Sequence, residues 1–252
     1  MVNISKKQEK KFRKEVQMIF QDPYETLNPK FTIFEAIAEP LRIHGLKNKD
    51  EIEEKVIKAL ETAELKPAVD YMYRYPHELS GGQRQRVSIA RGIVLEPKIL
   101  VADEPVSMLD VSIRAGILNL LKRLRKDMGL TMLYVSHDLS TIKYLCDRIA
   151  VMYLGKIVEI GPVNEVISNP QHPYTKILVS AVPVPDPDFE RKRIEIDDEA
   201  PDQINLPKGC RFTPRCPYVK DACHGCDHTL NNVGPNQWSA CIYDSDQLVL
   251  NK

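Results

Sequence analysis

Long apolar runs are missing from this sequence. No stretch approaches the roughly 18–20 apolar residues that a membrane-spanning helix needs. The first residues, Met-Val-Asn-Ile-Ser-Lys-Lys, also lack the apolar segment of a secretory signal. We therefore expect a soluble, intracellular protein that associates with a membrane only through a partner.

The chain also lacks an excess of either charge, because 35 basic residues balance 35 acidic ones among 252 residues. Without a global basic field, non-specific binding to nucleic acid is disfavoured. Hydrophobic residues make up 43% of the chain, which is normal for a globular core. The length allows one large domain with an appendage, or two modest domains.

Glycine is scarce, at 11 residues, and the glycines never form the phosphate-binding pattern G-x-x-x-x-G-K-[ST]. The one Gly-Lys pair, Gly155-Lys156, lies in a predicted hairpin. The sequence as it stands therefore contains no loop of the kind that grips the β- and γ-phosphates of a nucleotide.

Strand and helix patterns alternate along the first two thirds of the chain. Apolar runs predict a strand at Val16–Phe20 and two buried strands at Ile99–Ala102 and Thr131–Val135, and a hairpin follows at 149–160. Helical spacing predicts helices at 50–65, from 80 to about 95, and at 113–128, 139–146 and 163–168. The order predicts an α/β fold with an open parallel sheet and a helical insertion. Residues 183–187 are proline-rich and predict a linker to a tail of short strands.

A helix start at Ser80-Gly81-Gly82-Gln83 is a candidate anion site. Ser80 and Gln83 fit a capping box, S-x-x-Q, which fixes the first turn. Unpaired backbone N–H groups and the helix dipole favour a negative charge there, and the glycines allow close approach of a phosphate. An ordinary capped helix after a tight turn is the alternative for Ser-Gly-Gly taken alone.

Polar residues end each of the three predicted strands. Asp103 and Glu104 follow the second strand, and because adjacent strand residues point to opposite faces, the two acids have different tasks. One can hold Mg²⁺ and the other can orient or deprotonate an attacking water. His137 follows the third strand and could reach a γ-phosphate, and Gln21 follows the first. Taken singly, each of these residues could also be an ordinary strand-end or loop residue.

In this order, the motifs resemble the nucleotide-binding domain of ABC transporters, over residues 1 to about 162. Gln21 is similar to the Q-loop glutamine, and Ser80–Gln83 to the signature motif. Asp103 and Glu104 resemble the Walker B aspartate and the catalytic glutamate. Asp110 ends a Ser-Met-Leu-Asp segment that resembles the D-loop, although alanine is more usual at its second position. His137 resembles the switch histidine.

The resemblance implies a P-loop NTPase-like (RecA-like) fold, with ATP and Mg²⁺ as ligands. Glu104, His137 and Gln21 would act in catalysis. Contact with nucleotide or Mg²⁺ would come from Ser80, Gly81, Gly82, Gln83, Asp103 and Asp110. We expect a core remnant with the Q-loop at 1–30, a helical subdomain at 31–92, further core at 93–162 and a C-terminal extension at 163–252.

Three segments are similar to the oligopeptide/dipeptide importer branch of these ATPases: 21–29, 169–175 and 209–217. That resemblance implies a second ATPase subunit, two membrane permeases contacted through residues 22–45, and indirectly an extracytoplasmic peptide-binding protein. It places the chain at the cytoplasmic face of the membrane, with no nucleic acid partner. We expect His172-Pro-Tyr-Thr to form a surface turn before a helix at 174–181.

Five of the six cysteines lie in the last part of the chain, and Cys146 is expected to be a small core residue. In a reducing compartment such a cluster suggests metal binding more than disulfides. Several members of the importer branch carry four such cysteines around a [4Fe–4S] cluster, which implies Cys210, Cys216, Cys223 and Cys241 here. Zinc and free thiols remain open, with His224 and His228 as further zinc ligands and Cys226 as a substitute for Cys223.

The missing P-loop decides what the resemblance implies for activity. In the family, each ATP lies between the P-loop of one subunit and the signature of the other, and the Q-loop, Walker B and switch residues act on the nucleotide of their own P-loop. The chain looks like a family member without its first strands, P-loop and following helix. We therefore expect weak ATP binding and no hydrolysis by the isolated chain.

Three interpretations compete. The chain is the energy-coupling subunit of a peptide importer, recorded without its N-terminus; or it is a catalytically silent subunit that offers its signature face to a competent partner. A soluble ABC ATPase of DNA repair or translation is disfavoured, because a coiled-coil insertion is absent. DNA upstream of Met1 separates the first two, since an in-frame or frameshifted P-loop there would indicate truncation.

Overall fold

The computed structural model describes residues 4–182, 205–227, 229–243 and 248. The chain divides between His137 and Asp138 into two compact units. In the described residues, no helix combines the length and the apolar character needed to cross a bilayer. The predicted linker at 183–187 lies outside the described residues.

A three-stranded parallel sheet organises the first unit. Its strands are β1 (Val16–Ile19), β2 (Ile99–Asp103) and β3 (Thr131–Val135), in the order β1-β2-β3. The register aligns their carboxyl ends, since Ile19 is opposite Ala102 and Asp103 is opposite Val135. The predicted strands and the parallel α/β sheet are therefore confirmed.

Helices of the first unit fill the intervals between the strands, mostly where helical spacing predicts them. They are α1 (Lys6–Glu15), α2 (Pro23–Thr26), α3 (Ile33–Ile43), α4 (Lys49–Thr62), α5 (Val69–Met72), α6 (Gly81–Ile93) and α7 (Val111–Asp127). Helices α3, α4 and α6 pack on one another through fully buried Ile37, Val56, Leu60 and Val87. This cluster is the helical insertion between β1 and β2.

Close backbone approach holds α6 against the sheet. A Cβ at Gly92 would lie 3.4 Å from Ile19 Cγ1 and 3.6 Å from Leu100 Cδ1, so α6 lies directly on β1 and β2. Glu64 accepts from Arg86 of α6 and pairs with Arg123 of α7, which ties the insertion to the helix that follows β2. Both contacts fix the position of α6, whose first residues carry the candidate anion site.

The expectation that β3 is buried is wrong. Leu133 and Val135 are 58% and 43% exposed, and no side chain of β3 is fully buried. The reason is topological, because β3 is an edge strand in the described part of the chain, with β2 on one side only. A continuous apolar run predicts a strand buried on both faces only when further elements cover it.

In its described residues, the second unit is an antiparallel sheet with three α-helices. Its strands are β4 (Arg148–Tyr153), β5 (Lys156–Pro162), β6 (Asn231–Gly234) and β7 (Gln237–Ser239), in the order β4-β5-β7-β6. Its helices are α8 (Leu139–Leu145), α9 (Val163–Ser168) and α10 (Pro173–Ala181). The predicted hairpin is confirmed, and it groups with the C-terminal residues because β5 pairs with β7. Cys146 ends α8 half-buried, not in the core.

One buried carboxylate joins three segments of the second unit. Glu159 of β5 is 0% exposed and accepts hydrogen bonds from the backbone N–H groups of Gln171 (2.9 Å) and His172 (2.8 Å). It also accepts from Gln237 Nε2 of β7 at 2.8 Å. Because each buried donor left without an acceptor costs roughly 1–3 kcal/mol, Glu159 anchors the 169–175 segment to the sheet.

Candidate functional site

The three predicted catalytic side chains meet at the carboxyl edge of the parallel sheet. Gln21 Nε2 donates to Glu104 Oε2 at 3.1 Å, and His137 Nδ1 lies 3.0 Å from Glu104 Oε1. The Glu104 side chain is 23% exposed, whereas His137 is 72% exposed. Each Glu104 oxygen therefore has its own partner, and the imidazole lies on the solvent side of the carboxylate.

The backbone holds Glu104 in a conformation that non-glycine residues rarely adopt. Its φ is +41°, in the left-handed region. Its N–H donates to Val135 O at 3.0 Å, and its carbonyl accepts from the Ser107 N–H at 3.2 Å and the Ser107 hydroxyl at 3.0 Å. Strain of this kind costs on the order of 1–3 kcal/mol and persists where surrounding contacts impose it, as at many active sites.

Asp103 and Asp110 differ from Glu104 in having unengaged carboxylates. Asp103, half-buried at the end of β2, has no side-chain hydrogen-bond or ion-pair partner among the described residues. Asp110 is exposed at the N-cap of α7, but its side chain makes no capping hydrogen bond. A half-buried carboxylate without a protein partner suits a hard cation such as Mg²⁺, and this holds for Asp103.

The predicted capping box at the start of α6 is confirmed. Gln83 N–H donates to Ser80 Oγ at 3.4 Å, and Ser80 N–H donates to Gln83 Oε1 at 3.0 Å. Ser80 is exposed and Gly81 is half-buried, so the first turn of α6 is accessible. In the described part of the chain, no hydrogen bond joins these residues to Gln21, Glu104 or His137.

Gly81 and Gly82 have different surroundings. A Cβ at Gly81 would lie 3.6 Å from Tyr24 Oη and 3.9 Å from Leu109 Cδ2, which is ordinary contact. A Cβ at Gly82 would lie 2.7 Å from Ile113 Cγ2, and Gly82 is buried. Close packing on α7 is therefore a sufficient reason for glycine at position 82, whereas Gly81 keeps free access for a ligand.

Tyr24 and Arg84 are site residues that the sequence reasoning did not single out. The Arg84 guanidinium lies over the Tyr24 ring at 4.1 Å, and Arg84 Nε donates to Leu79 O at 3.0 Å. Tyr24 Oη also lies beside Gly81. Tyr24 therefore connects the segment after Gln21 to the start of α6. In the sequence, only the Gln21-Asp-Pro-Tyr24 motif could have indicated that Tyr24 belongs to this site.

In the second unit, the structure brings all four predicted metal-ligating cysteines to one place. Lining a small cavity of about 20 Å³ are Cys210, Cys216, Cys223, Cys226 and Cys241, together with His172 and Phe212. Burial raises the pKa of Cys216 to about 12 and that of Cys210 to about 11, and it also raises the pKa of Cys241. Burial therefore disfavours the thiolate form of these three cysteines. Cys226 shares the cavity as a fifth sulfur.

The backbone around the cysteines is tightly specified. Cys210 N–H donates to Cys223 O at 3.1 Å, and Gly209 has φ +80°, with the position of its absent Cβ only 2.5 Å from Cys223 O. In the described part of the chain, no group of three His, Cys, Asp or Glu side chains is arranged to hold a single metal ion. His224 is exposed, and His228 lies outside the described residues.

The expectation of a surface turn at 172–175 is wrong. His172 and Thr175 are each 1% exposed, and α10 begins at Pro173. Tyr174 packs on Phe212, with ring centroids 5.4 Å apart, and on Tyr153 at 4.7 Å. The 169–175 segment is buried because the aromatic residues of the cysteine segment and Glu159 cover it.

Two protein families match the sequence. The ABC transporter family matches residues 1–107, and the C-terminal region of oligopeptide/dipeptide transporters matches residues 158–223. A Brucella ovis protein that carries the name of a peptide import ATP-binding protein is 47% identical over 245 residues, which are 97% of this chain and 77% of that protein. The oligopeptide transport ATP-binding protein OppF of Escherichia coli is 50% identical over 214 residues, covering 84% of this chain and 64% of OppF.

Solved structures resemble the fold as well. The Clostridium perfringens cbiO1 protein, described as part of an ABC transporter complex, superposes with a TM-score of 0.59 at 30% identity, over 67% of this chain and 65% of that chain. A dimeric, post-hydrolysis structure of the ATP-binding cassette MJ0796 with ADP and Pi gives a TM-score of 0.56 at 29% identity, over 64% and 68%.

The different surroundings of the two glycines yield a stability prediction. Gly82→Ala should lower the free energy of unfolding by about 1–3 kcal/mol, because its methyl group overlaps Ile113. Gly81→Ala should be neutral or slightly stabilising, because alanine favours helices and there is room for it. Urea unfolding followed by circular dichroism measures both changes. If Gly82→Ala is as stable as Gly81→Ala, or if adding Ile113→Ala gives no recovery, the packing explanation for position 82 is incorrect.

Proposed function

The chain belongs to the ABC transporter ATP-binding subunits of the oligopeptide/dipeptide importer family, and on this premise we propose how its residues divide the work of that subunit. It is an ATP-binding subunit of an oligopeptide importer. We propose that it carries two surfaces: a catalytic cluster (Gln21, Glu104 and His137) and a signature face (Ser80, Gly81 and Gln83). Each addresses a different nucleotide.

One observation carries the proposal for the catalytic cluster: the Glu104 carboxylate is held between Gln21 and His137. In a subunit that holds a nucleotide on its own P-loop, Glu104 would orient and deprotonate the attacking water, a role worth roughly 10²–10⁴ in rate. His137, on the solvent side, would contact the γ-phosphate, and Gln21 would hold the carboxylate in place. Asp103 would ligate Mg²⁺, which in such sites neutralises charge on the phosphate oxygens.

The signature face is the second proposed surface, and it has a different role from the catalytic cluster. The first turn of α6 offers the N–H groups of Gly81 and Gly82, which the capping box leaves unpaired, and the positive end of the helix dipole to an anion. Because Ser80 is exposed and the family places this motif opposite the P-loop of the other subunit, we propose that it faces a nucleotide held by a second ATPase subunit. Asp110 is exposed and directly follows Leu109, whose side chain lies beside Gly81, and it would contact the same partner.

No segment of these 252 residues has the P-loop pattern, so these residues do not include the P-loop amides and lysine that would bind phosphates beside the catalytic cluster. The signature face needs only the partner's P-loop. We therefore propose that this chain supports hydrolysis at the partner's nucleotide. Taken by themselves, these residues would therefore act as the catalytically silent subunit, which is the second candidate, whereas a P-loop in the same protein would make Glu104 catalytic.

A groove in the first unit is the proposed docking site for a permease. It has a volume of about 350 Å³ and lies between β1, α3 and α6, with exposed Phe20 and Ile43 at its rim. Arg91 of α6 fixes one wall by donating to Glu39 of α3 at 2.9 Å and to Thr26 O at 3.3 Å. Apolar groups beside an ion pair suit an amphipathic helix from a membrane partner. This arrangement would place the chain at the cytoplasmic face of the membrane, where a binding protein delivers peptide from the other side.

Hydrolysis by a reconstituted importer tests the division of labour. In a complex of this 252-residue chain with its companion ATPase and permeases, Ser80→Arg should lower the ATPase rate at least about 100-fold, because it obstructs the anion site. Glu104→Gln should change that rate less than about twofold. Phosphate release measures both.

Assembly supplies the control. Both variants should co-purify with the permeases, whereas Ile43→Arg in the groove should not, although its circular dichroism spectrum should be unchanged. A full loss of hydrolysis in Glu104→Gln, with assembly intact, would show that the catalytic cluster does act on a bound nucleotide in this chain.

For the cysteine cavity, we propose a [4Fe–4S] cluster ligated by Cys210, Cys216, Cys223 and Cys241. Supporting this assignment, the four thiols line one small cavity and the donor set is all sulfur. Zinc would need four ligands around one ion, at about 2.3 Å for sulfur, whereas a four-iron cluster gives each thiolate its own iron.

Metal analysis of anaerobically purified protein tests this proposal. We expect iron and acid-labile sulfide in about equal amounts, and loss of both in Cys216→Ser, with Cys146→Ser as the matched control outside the cavity. Because ligation requires thiolates and burial raises the thiol pKa to about 11–12, reconstitution should become more complete as pH rises from about 7 to 9. Protein that holds neither iron nor sulfide would contradict the proposal, and zinc alone would replace it.

A further inference from the structure

The helix α1 stands apart from the core. None of its ten residues is buried, although Ser5 and Gln8 cap it reciprocally. Isolated helices shorter than about 12–15 residues are marginal in water. A short, capped helix that packs on almost nothing is therefore a surface element whose side chains are free for another contact.

The charge of α1 is strongly one-sided. At about 100° per residue, its five lysines fall within a sector of roughly 140°. They are Lys6, Lys7, Lys10, Lys11 and Lys14. Both acids of the helix are already engaged, Glu9 with Arg13 at 2.7 Å and Glu15 with Lys98 at 3.1 Å. The lysines form no ion pair with the described residues, so this lysine face is uncompensated within a chain of zero net charge.

The lysine face adjoins the groove proposed for the permease. Arg13 of α1 lines that groove together with Ile43 and His44 at the end of α3. Burial lowers the pKa of His44, and the positive charges of Lys10 and Lys14 lower it further, which places these lysines close to α3. If the groove holds a membrane partner, α1 lies on the side of the unit that is next to the bilayer.

We propose that the lysine face of α1 binds the anionic headgroups of the membrane surface beside the permease. Charge complementarity carries the proposal, which rests on the proposed permease groove for its orientation. Lysines next to a membrane are attracted to an anionic leaflet surface, and this attraction falls off within a Debye length. Phe12 lies opposite the lysine face and is 57% exposed, so the helix adsorbs on headgroups without inserting an aromatic anchor.

Vesicle sedimentation of the full chain tests the proposal without permeases. The wild-type chain should bind vesicles of 30 mol% phosphatidylglycerol in phosphatidylcholine, and not vesicles of pure phosphatidylcholine. Raising the salt from about 50 to 500 mM should abolish binding, because screening weakens contacts between exposed charges. Replacing Lys6, Lys7, Lys10 and Lys11 with Gln should weaken binding at least about tenfold.

A matched variant separates a local surface from total charge. Gln at four exposed lysines elsewhere in the first unit gives the same net charge, and these are Lys47, Lys49, Lys66 and Lys126. This control and Phe12→Ser should bind as the wild type does. The proposal would be overturned if both four-lysine variants lost vesicle binding equally, or if wild-type binding did not depend on salt or on lipid charge.

Two further results distinguish a failure of this proposal from misfolding of the variant and from a failure of the permease groove. If the α1 variant does not fold by circular dichroism, the lipid and salt dependence of the wild-type chain still decides. Absence of wild-type binding to anionic vesicles, with binding to another polyanion such as RNA, would reassign the lysine face. Neither result affects the permease groove, because co-purification of Ile43→Arg reports on that groove alone.

Discussion

The parallel register of β1, β2 and β3 is the constraint on which the rest of the first unit depends. Because Ile19, Ala102 and Tyr134 lie side by side across the sheet, the residues that follow the three strands must meet at one edge. A shift of one residue in either pairing would turn Gln21 or His137 away from Glu104. The positive φ of Glu104 completes this arrangement, since it turns the chain at the end of β2 while both backbone groups stay paired with the neighbouring loop and strand.

Motif spacing predicted the residues that this register brings together. Polar residues placed directly after apolar strands identify the edge of a parallel sheet, and a capping box identifies the start of α6, so Gln21, Glu104, His137 and Ser80 could all be found without coordinates. The parallel sheet and the helical insertion followed from the alternation of strand and helix patterns. The signature, the strand-end acids and the importer-type segments together gave the family, and the relatives confirm it.

Features that depend on packing between distant segments were not predictable in this way. The burial of His172 depends on Glu159 and Phe212, which are 13 and 40 positions away, and no local pattern encodes those contacts. The exposure of β3 depends on what lies beside the sheet, whereas its sequence shows only an apolar run. Packing against Ile113 explains the glycine at position 82 without any phosphate contact. Tyr24, which follows Gln21 closely in the chain, lies beside Gly81. The exposed lysine face of α1 looks in sequence like any solvated charge run, and only the packing shows that nothing in the described residues neutralises it.

We propose that Gln21, Glu104 and His137 form a catalytic cluster and that the start of α6 forms a signature face, in a stretch of 252 residues without the P-loop pattern. Isothermal titration calorimetry of the isolated chain with Mg-ATP tests it most directly. We predict no saturable binding below millimolar ATP, since neither surface alone supplies the P-loop contacts to the β- and γ-phosphates. Saturable binding in the micromolar range, abolished by Asp103→Asn or Ser80→Arg, would contradict the claim and show that the chain holds nucleotide by itself.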